Sequence, residues 1–411
     1  MTDHQHYELA NGIRLVHKQI QGSEISHCGF IINTGTRDEQ PQETGMAHFL
    51  EHMLFKGTPK RKSFHILSRL DVVGGDLNAY TTKERTALHA AFRNAYFPRA
   101  FELLTDILFH AHFPEKELLK ERQVVIDEIN QYQDYHDESL LDDFEALVFR
   151  DTPLASPILG TAESVGSFTR EAVAAFRDRQ YAADQLVFSY VGPLSAAQFL
   201  RKVTPVLERY PHREAVQRPK LKLAYTPFQL ELEKNATQAY AVLGNLAYAA
   251  NHPRRAGLLL LNNLLGGDGM NSRLNLSIRE RNGLVYSIES NYNAYSDTGL
   301  WYVYFSCDPE YVQRVLRLVR KELEKLRTKP LGRIQLQQAK QQLISRLVMN
   351  EESRTSLMLA LGTSLFDFGR IDTLPELIAR FEEVTASELQ QIANELFAPD
   401  QLSSLIYLPK S

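Results

Sequence analysis

The chain has 411 residues, 44% hydrophobic and 23% charged, the balance of a globular protein, and its length suits two or three domains of roughly 100–200 residues. Its 46 lysines and arginines against 50 aspartates and glutamates leave a net charge of −4, which speaks against nucleic acid or an anionic membrane as a partner, because both demand a large cationic surface. Two cysteines, Cys28 and Cys307, exclude a disulfide scaffold, and no apolar run reaches the roughly 20 residues of a membrane span.

The opening MTDHQHYELANG has neither a basic segment followed by an apolar one nor an Arg-rich amphipathic stretch, so a cytoplasmic location is expected. The turn Asn11-Gly12 between residues 7–10 and 13–20 signals a hairpin, because Asn-Gly readily takes the positive φ of a tight turn. Residues 26–34 read as a third strand. Residues 45–55 carry helical spacing of Met46, Phe49, Leu50, Met53 and Leu54, with Pro59 beyond the end. Residues 77–91 contain another strand, and 97–110, 115–132 and 169–181 are helical patterns. Residues 186–191 form a strand that ends at Gly192-Pro193. Pro205, Pro211, Pro219 and Pro227 then break the rhythm and read as an extended linker.

The second half of the chain resembles the first. FTREAVAAFRDRQYAADQLVFSYVGP matches VTASELQQIANELFAPDQLSSLIYLP, with Thr169 over Thr385 and Asp184 over Asp400, each 216 residues apart. HFLEHMLFKG aligns with LLLLNNLLGG, placing Gly57 over Gly267 at a separation of 210. Two matches at nearly one offset indicate a duplicated domain. The expected fold is α+β: two homologous α/β sandwich domains, each a mostly antiparallel sheet with helices packed on it. They are expected at 1–208 and 227–411, joined by a linker at 209–226. In this alignment His48, Glu51 and His52 stand over Leu258, Leu261 and Asn262. Both copies need packing, so the added polarity of the first asks for its own explanation.

Positions i, i+3 and i+4 share a helix face. His48, Glu51 and His52 therefore project together, with Met46, Phe49, Leu50 and Met53 packing around them. Two imidazoles four residues apart suit zinc at Zn–N distances of about 2.0–2.1 Å, and H-x-x-E-H is the inverted zinc-peptidase motif. A catalytic zinc takes three protein ligands. KELLKERQVVIDEINQY supplies Glu121 and Glu128, seven residues apart on one stripe beside Leu118, Val125 and Ile129. A cation offsets the cost of a carboxylate at such a buried border. Spacing alone leaves both glutamates open as the third ligand, while Asp127 points elsewhere.

These residues sit in longer stretches: GMAHFLEHM at 45–53, FKGT at 55–58, GGDLNAYT at 74–81, ERQVV at 121–125, DEI at 127–129 and RERNGLVY at 279–286. In them, and in their order over nearly the whole chain, the protein resembles the M16 zinc metallopeptidases, the insulinase, pitrilysin and mitochondrial processing peptidase family. The resemblance implies two similar α/β domains and one zinc ion per chain. It selects Glu128 as the ligand beside His48 and His52, because the family ligand lies at this distance past the motif and 75 residues separate His52 from Glu128. Glu121 then matches an acid that orients His52 or the ligand water.

The implied reaction is peptide-bond hydrolysis by a zinc-activated water, with Glu51 as general base. Gly75, Leu77, Asn78 and Ala79 match the family's substrate-binding edge strand, where an extended peptide adds by main-chain hydrogen bonds. Glycines there let another backbone approach closely. Arg279 and Tyr286 match a pair that binds the substrate backbone and helps stabilise the tetrahedral intermediate. In long single-chain relatives the motif half faces a second half carrying this pair, whereas this chain has one half's length and both elements. A homodimer is therefore expected, each site combining the first domain of one chain with the second domain of its partner around a chamber for peptides and unfolded segments.

The alternatives are a non-catalytic scaffold of the same fold, whose motifs are typically damaged, and one subunit of a heterodimeric processing peptidase. The complete set of motif residues favours the self-sufficient enzyme. Two weaker signals remain. The glycine stretch 266–269 lacks the Lys-Ser/Thr of a phosphate loop. The pairs His4/His6 and His110/His112 lack acidic or cysteine partners at ligand spacing and read as surface or core histidines.

Overall fold

The computed structural model describes residues 4–212, 216–267 and 269–410. Positions 213–215 of the expected linker and Asp268 of the 266–269 stretch lie outside the described residues. From the N-terminus, β1 (Gln5–Glu8), β2 (Arg14–Gln19) and β3 (Ile25–Ile32) lead into α1 (Met46–Leu54). A small ribbon of β4 (Gly57–Thr58) and β5 (Arg61–Lys62) and helix α2 (Ser63–Asp71) precede β6 (Asp76–Thr81) and β7 (Thr86–Arg93). Helices α3 (Phe97–His110), α4 (Glu115–Tyr132), α5 (His136–Val148), α6 (Ala162–Ser167) and α7 (Arg170–Gln180) come next, then β8 (Leu186–Gly192) and α8 (Ala196–Leu207). The second half opens with β9 (Gln229–Lys234), β10 (Ala239–Ala247), α9 (Arg255–Gly266), β11 (Ser287–Ala294) and β12 (Gly299–Cys307). It closes with α10 (Val312–Thr328), α11 (Arg333–Asn350), α12 (Arg354–Phe368), α13 (Leu374–Glu383), α14 (Ala386–Leu396) and β13 (Ser403–Pro409).

The described residues form two compact units. In unit 1 the strand order is β1-β2-β8-β3-β7-β6, and in unit 2 it is β11-β12-β10-β13-β9. Each sheet has a single parallel pair, β2 with β8 and β9 with β13, and every other ladder is antiparallel. The order β2-β8-β3-β7-β6 thus repeats as β9-β13-β10-β12-β11. The duplicated, mostly antiparallel α+β architecture expected from the sequence is the one the chain adopts. The repeat extends to single atoms. Thr169 and Thr385 are both helix N-caps, accepting the amides of Ala172 and Glu388 and so satisfying one orphan donor of α7 and of α14.

The units differ from the contiguous segments 1–208 and 227–411. Unit 1 also contains Met349–Thr373, and unit 2 also contains Gln131–Ala155. The reason is burial. In α12, Leu357, Met358, Leu361 and Leu365 pack on Val16, Ile31, Val187 and Val191 of unit 1. A Cβ at Gly362 would stand 2.5 Å from Ile31 Cδ1, so a larger residue there would force the Ile31 side chain to shift. In α5, Leu140, Phe144 and Val148 pack on Val242, Leu405 and Tyr407 of unit 2. Each sheet is thereby covered on both faces, which is why every residue of β8 is buried.

Two local expectations change. Residues 77–91 hold two strands rather than one, because the Thr82 amide donates to Arg85 O at 2.7 Å and closes a turn between β6 and β7. Helix α8 continues through Pro205 to Leu207, so the extended segment begins later than that proline. Pro205 sits in the last turn, where its missing N–H removes one hydrogen bond only. Cys28 and Cys307 are buried and free. No helix among the described residues is long and apolar enough to cross a membrane.

Candidate metal centre

Helix α1 is fixed before it presents any chemistry. Its N-cap, Gly45, has φ +90°, and a Cβ there would meet Gly160 Cα at 2.6 Å, so this entry into the helix requires glycine. The Glu39 carboxylate accepts the Gly45 and Ala47 amides at 2.9 and 2.8 Å and satisfies the first turn. Phe49, Leu50, Met53 and Leu54 are fully buried in the unit 1 core. The helix therefore cannot rotate, and His48, Glu51 and His52 are committed to one face.

That face meets α4. Nε2 of His48 lies 3.9 Å from Glu128 Oε1, and Nε2 of His52 lies 3.7 Å from Glu128 Oε2. Among the described residues, these three side chains are the group whose ligand atoms all fall within 4.8 Å of one another. The separations are too long for hydrogen bonds. They are close to the roughly 3.4 Å that separates two donors on one tetrahedral zinc with bonds of about 2.0–2.2 Å. The donor chemistry fits as well. Burial, with the neighbouring His52, pushes the His48 imidazole down to about 3, so it remains neutral with a lone pair free to bind. Two imidazoles and one carboxylate are the ligand set of catalytic zinc sites.

Spacing left Glu121 and Glu128 equivalent, and the geometry separates them. Glu121 sits one heptad back, on the far side of His52, with Oε1 2.9 Å from His52 Nδ1 and Oε2 2.6 Å from Lys56 Nζ. Burial alone would raise its carboxyl. The hydrogen bonds from His52 and Lys56 outweigh burial and hold it below the ordinary carboxylate range. An ionised Glu121 fixes His52 so that Nε2 faces the other donors. By contrast, His48 Nδ1 is buried with no hydrogen-bond partner among the described residues, and its orientation rests on packing.

Glu51 is buried and does not join the donor cluster. The Thr81 hydroxyl donates to its Oε2 at 2.6 Å. Burial raises the Glu51 carboxyl above its ordinary value, the Thr81 bond and His52 pull it back, and Glu128 pushes it up again. Thr81 ends β6, which is the terminal strand of its sheet and among the described residues pairs only with β7. Gly75, Leu77, Asn78 and Ala79 thus lie at or beside a sheet edge. Leu77 and Ala79 lean on the core, and the Asn78 amide donates to Asp76 at 2.7 Å.

Arg279 and Tyr286 belong to unit 2. Arg279 is exposed in a π-helical turn, Asn275–Glu280, an irregularity frequent at functional sites. Tyr286 is 56% exposed, and its hydroxyl donates to Asp308 Oδ1 at 2.7 Å, which raises its pKa. No side-chain hydrogen bond joins the two among the described residues. His110 and His112 are exposed, with His110 Nδ1 3.6 Å from Asp106 Oδ1, and His4 is buried.

Sequence reasoning missed three supporting residues: Lys56, Thr81 and Asp308. Lys56 and Thr81 fall inside the motif stretches but act through contacts to residues far along the chain, for which periodicity carries no signal. Asp308 lies just past β12 and reaches Tyr286 across the β11–β12 pair.

Residues 14–162 match the family model described as insulinase, peptidase family M16, and residues 167–343 match the model described as the peptidase M16 inactive domain. An uncharacterized zinc protease of Bacillus subtilis is 31% identical over 403 residues, covering 97% of each chain. The chain belongs to peptidase family M16. A second M16 relative, an uncharacterized zinc protease of Streptomyces coelicolor, is 31% identical over 94% of this chain and 86% of its own. The M16 fold is matched by a protease from Helicobacter pylori at a TM-score of 0.92, with 20% identity and full coverage of both chains. A peptidase M16 inactive domain from Pseudomonas fluorescens also gives 0.92, with 19% identity over 99% of this chain and 98% of its own. The inactive-domain model covers α9, where Leu258, Leu261 and Asn262 stand at the positions aligned with His48, Glu51 and His52.

Proposed function

We propose that this M16 protein is a zinc-dependent endopeptidase acting on peptides and unfolded segments. The observation that carries the reading is the convergence of His48, His52 and Glu128 donor atoms without bonds to one another, with a buried carboxylate, Glu51, held beside them by Thr81. Bound zinc, one per chain, would supply Lewis acidity toward the scissile carbonyl and acidify a water molecule. Glu51 accepts the water proton and passes it to the leaving amine. Its burial, which raises its proton affinity, suits both transfers. Thr81 occupies Glu51 Oε2, which leaves Oε1 to handle the proton. Glu121 and Lys56 keep the His52 ring in one tautomer and orientation.

The β6 edge offers unpaired main-chain groups to an extended substrate, and recognition through backbone tolerates many sequences. Arg279 and Tyr286 would hold the substrate backbone and the developing oxyanion, contributed by the second domain of a partner chain in a homodimer. What supports this assembly is the division of the parts: the donor set belongs to unit 1 and the Arg/Tyr pair to unit 2. Cleavage of a quenched fluorogenic peptide, lost with a chelator and restored by zinc, tests the activity. Mixing Glu51→Gln and Arg279→Ala proteins tests the shared site: subunit exchange should recover part of the activity, and none after exchange would exclude trans assembly.

A further inference from the structure

Beside the metal helix, unit 1 carries a groove of about 720 Å³, formed by β4, β5, their turn and the first residues of α2 and α4. Lys56, Lys60, Arg61, Lys62 and Lys116 line it, against one acid, Glu117. On a chain of net charge −4, this is a local concentration that composition does not explain. Two of the cations are committed. Lys56 pairs with Glu121 at 2.6 Å, and Arg61 pairs with Glu102 at 2.6 Å and with Asp106. The acid is engaged too, since Glu117 accepts from Lys120 at 3.2 Å. Lys60, Lys62 and Lys116 are exposed and have no acidic partner among the described residues. Phe64, 74% exposed, stands in the same wall. Lysines gathered around a concavity focus positive potential there.

We propose that this groove is a docking site for an acidic segment of the peptide substrate, with carboxylates on Lys60, Lys62 and Lys116 and an apolar side chain on Phe64. The inference rests on the peptidase function proposed for the metal centre. Charge complementarity defines the occupant, and connectivity ties it to substrate. Lys56 in the groove wall reaches Glu121, whose other oxygen stands 2.9 Å from His52 Nδ1. A carboxylate in the groove therefore lies only a few residues of extended chain, at about 3.3–3.6 Å each, from the metal centre. Three free lysines suit a short run of carboxylates, whereas a nucleic acid draws its affinity from a longer cationic track. Because the groove does not touch the reacting bond, it lowers KM for acidic peptides and leaves kcat alone.

The test uses a fluorescein-labelled hexaglutamate peptide, its hexaglutamine counterpart and a six-nucleotide single strand, with binding read by anisotropy on the whole zinc-loaded protein. The glutamate peptide should bind at least about ten-fold tighter than the glutamine peptide, and salt should erase the difference. A Lys60→Glu/Lys62→Glu variant, altered at exposed positions and verified as folded by circular dichroism, should lose that preference. Equal binding of the two peptides, or an unchanged preference in the variant, overturns the docking site. A nucleotide strand that binds as tightly as hexaglutamate overturns the peptide assignment. A pair of fluorogenic peptides with and without an acidic tail separates docking from catalysis. Cleavage of neither counts against the peptidase function, while the binding data still judge the groove. Cleavage of both with equal KM counts against the groove alone.

Discussion

Helices α1 and α9 occupy corresponding places in the two units, each beside a terminal strand of its sheet, β6 for α1 and β11 for α9. In α9 the positions aligned with His48 and Glu51 are Leu258 and Leu261, both fully buried, and the position of His52 is Asn262. Asn262 closes on its own sheet: its amide donates to Ser290 O at 3.0 Å, and its oxygen accepts from the Ser290 hydroxyl. Asn262, the polar side chain of that aligned set, thus finds its partners within the fold. In α1 the same face carries two imidazoles and faces a carboxylate at 3.7–3.9 Å, with none of these separations a hydrogen bond. The fold needs a packed helix at this position and does not need ionisable groups there. The proposed function accounts for the excess in α1, as chemistry laid on a scaffold that α9 shows to be stable without it.

The largest effect is expected from turning one helix into the other. His48→Leu/Glu51→Leu/His52→Asn should abolish peptide cleavage, while the metal-free protein melts no lower than metal-free wild type in calorimetry. A large loss of Tm would mean that the α1 side chains serve the fold. Glu51→Gln alone should lower turnover by about 10²–10⁴-fold with zinc content unchanged, and near-normal turnover would remove the base role. Glu121→Gln should weaken zinc affinity by about 10–100-fold, measured with a competing chelator.

Thr81→Val should cost about ten-fold in kcat, the scale of one hydrogen bond, and its pH profile is the more diagnostic readout. The Thr81 bond lowers the Glu51 pKa, so its loss moves the acidic limb of the rate profile to higher pH. The smallest effect concerns stability. In the metal-free fold the Glu51 carboxyl lies above its unfolded value. Ionising it near neutrality therefore costs stability, a cost that vanishes once pH falls below the ordinary glutamate value of about 4.3. Metal-free Glu51→Gln should melt higher than metal-free wild type at pH 7, and the gap should close in acid.

Much of this was legible in the sequence because it is local. The i, i+3, i+4 spacing on α1 put three side chains on one face, and the threonines that cap α7 and α14 marked the repeat. What stayed hidden depends on contacts across long stretches of chain. Glu121 and Glu128 share one stripe of α4, and only the position of α1 against that stripe decides which reaches both Nε2 atoms and which meets His52 Nδ1. The Thr81–Glu51 bond joins a strand end to a helix 30 residues away. The exchange of α5 and α12 between units is equally invisible to periodicity, since an amphipathic helix announces that it will be buried but not against which sheet.

In the proposed function, zinc is held by His48, His52 and Glu128 and by nothing in the second copy. Elemental analysis of the purified chain after dialysis tests it most directly. One zinc per chain is predicted for wild type and for Glu51→Gln, and close to none for Glu128→Gln and for the α1 variant carrying the three α9 residues. A full zinc equivalent retained by either of the last two proteins would contradict it.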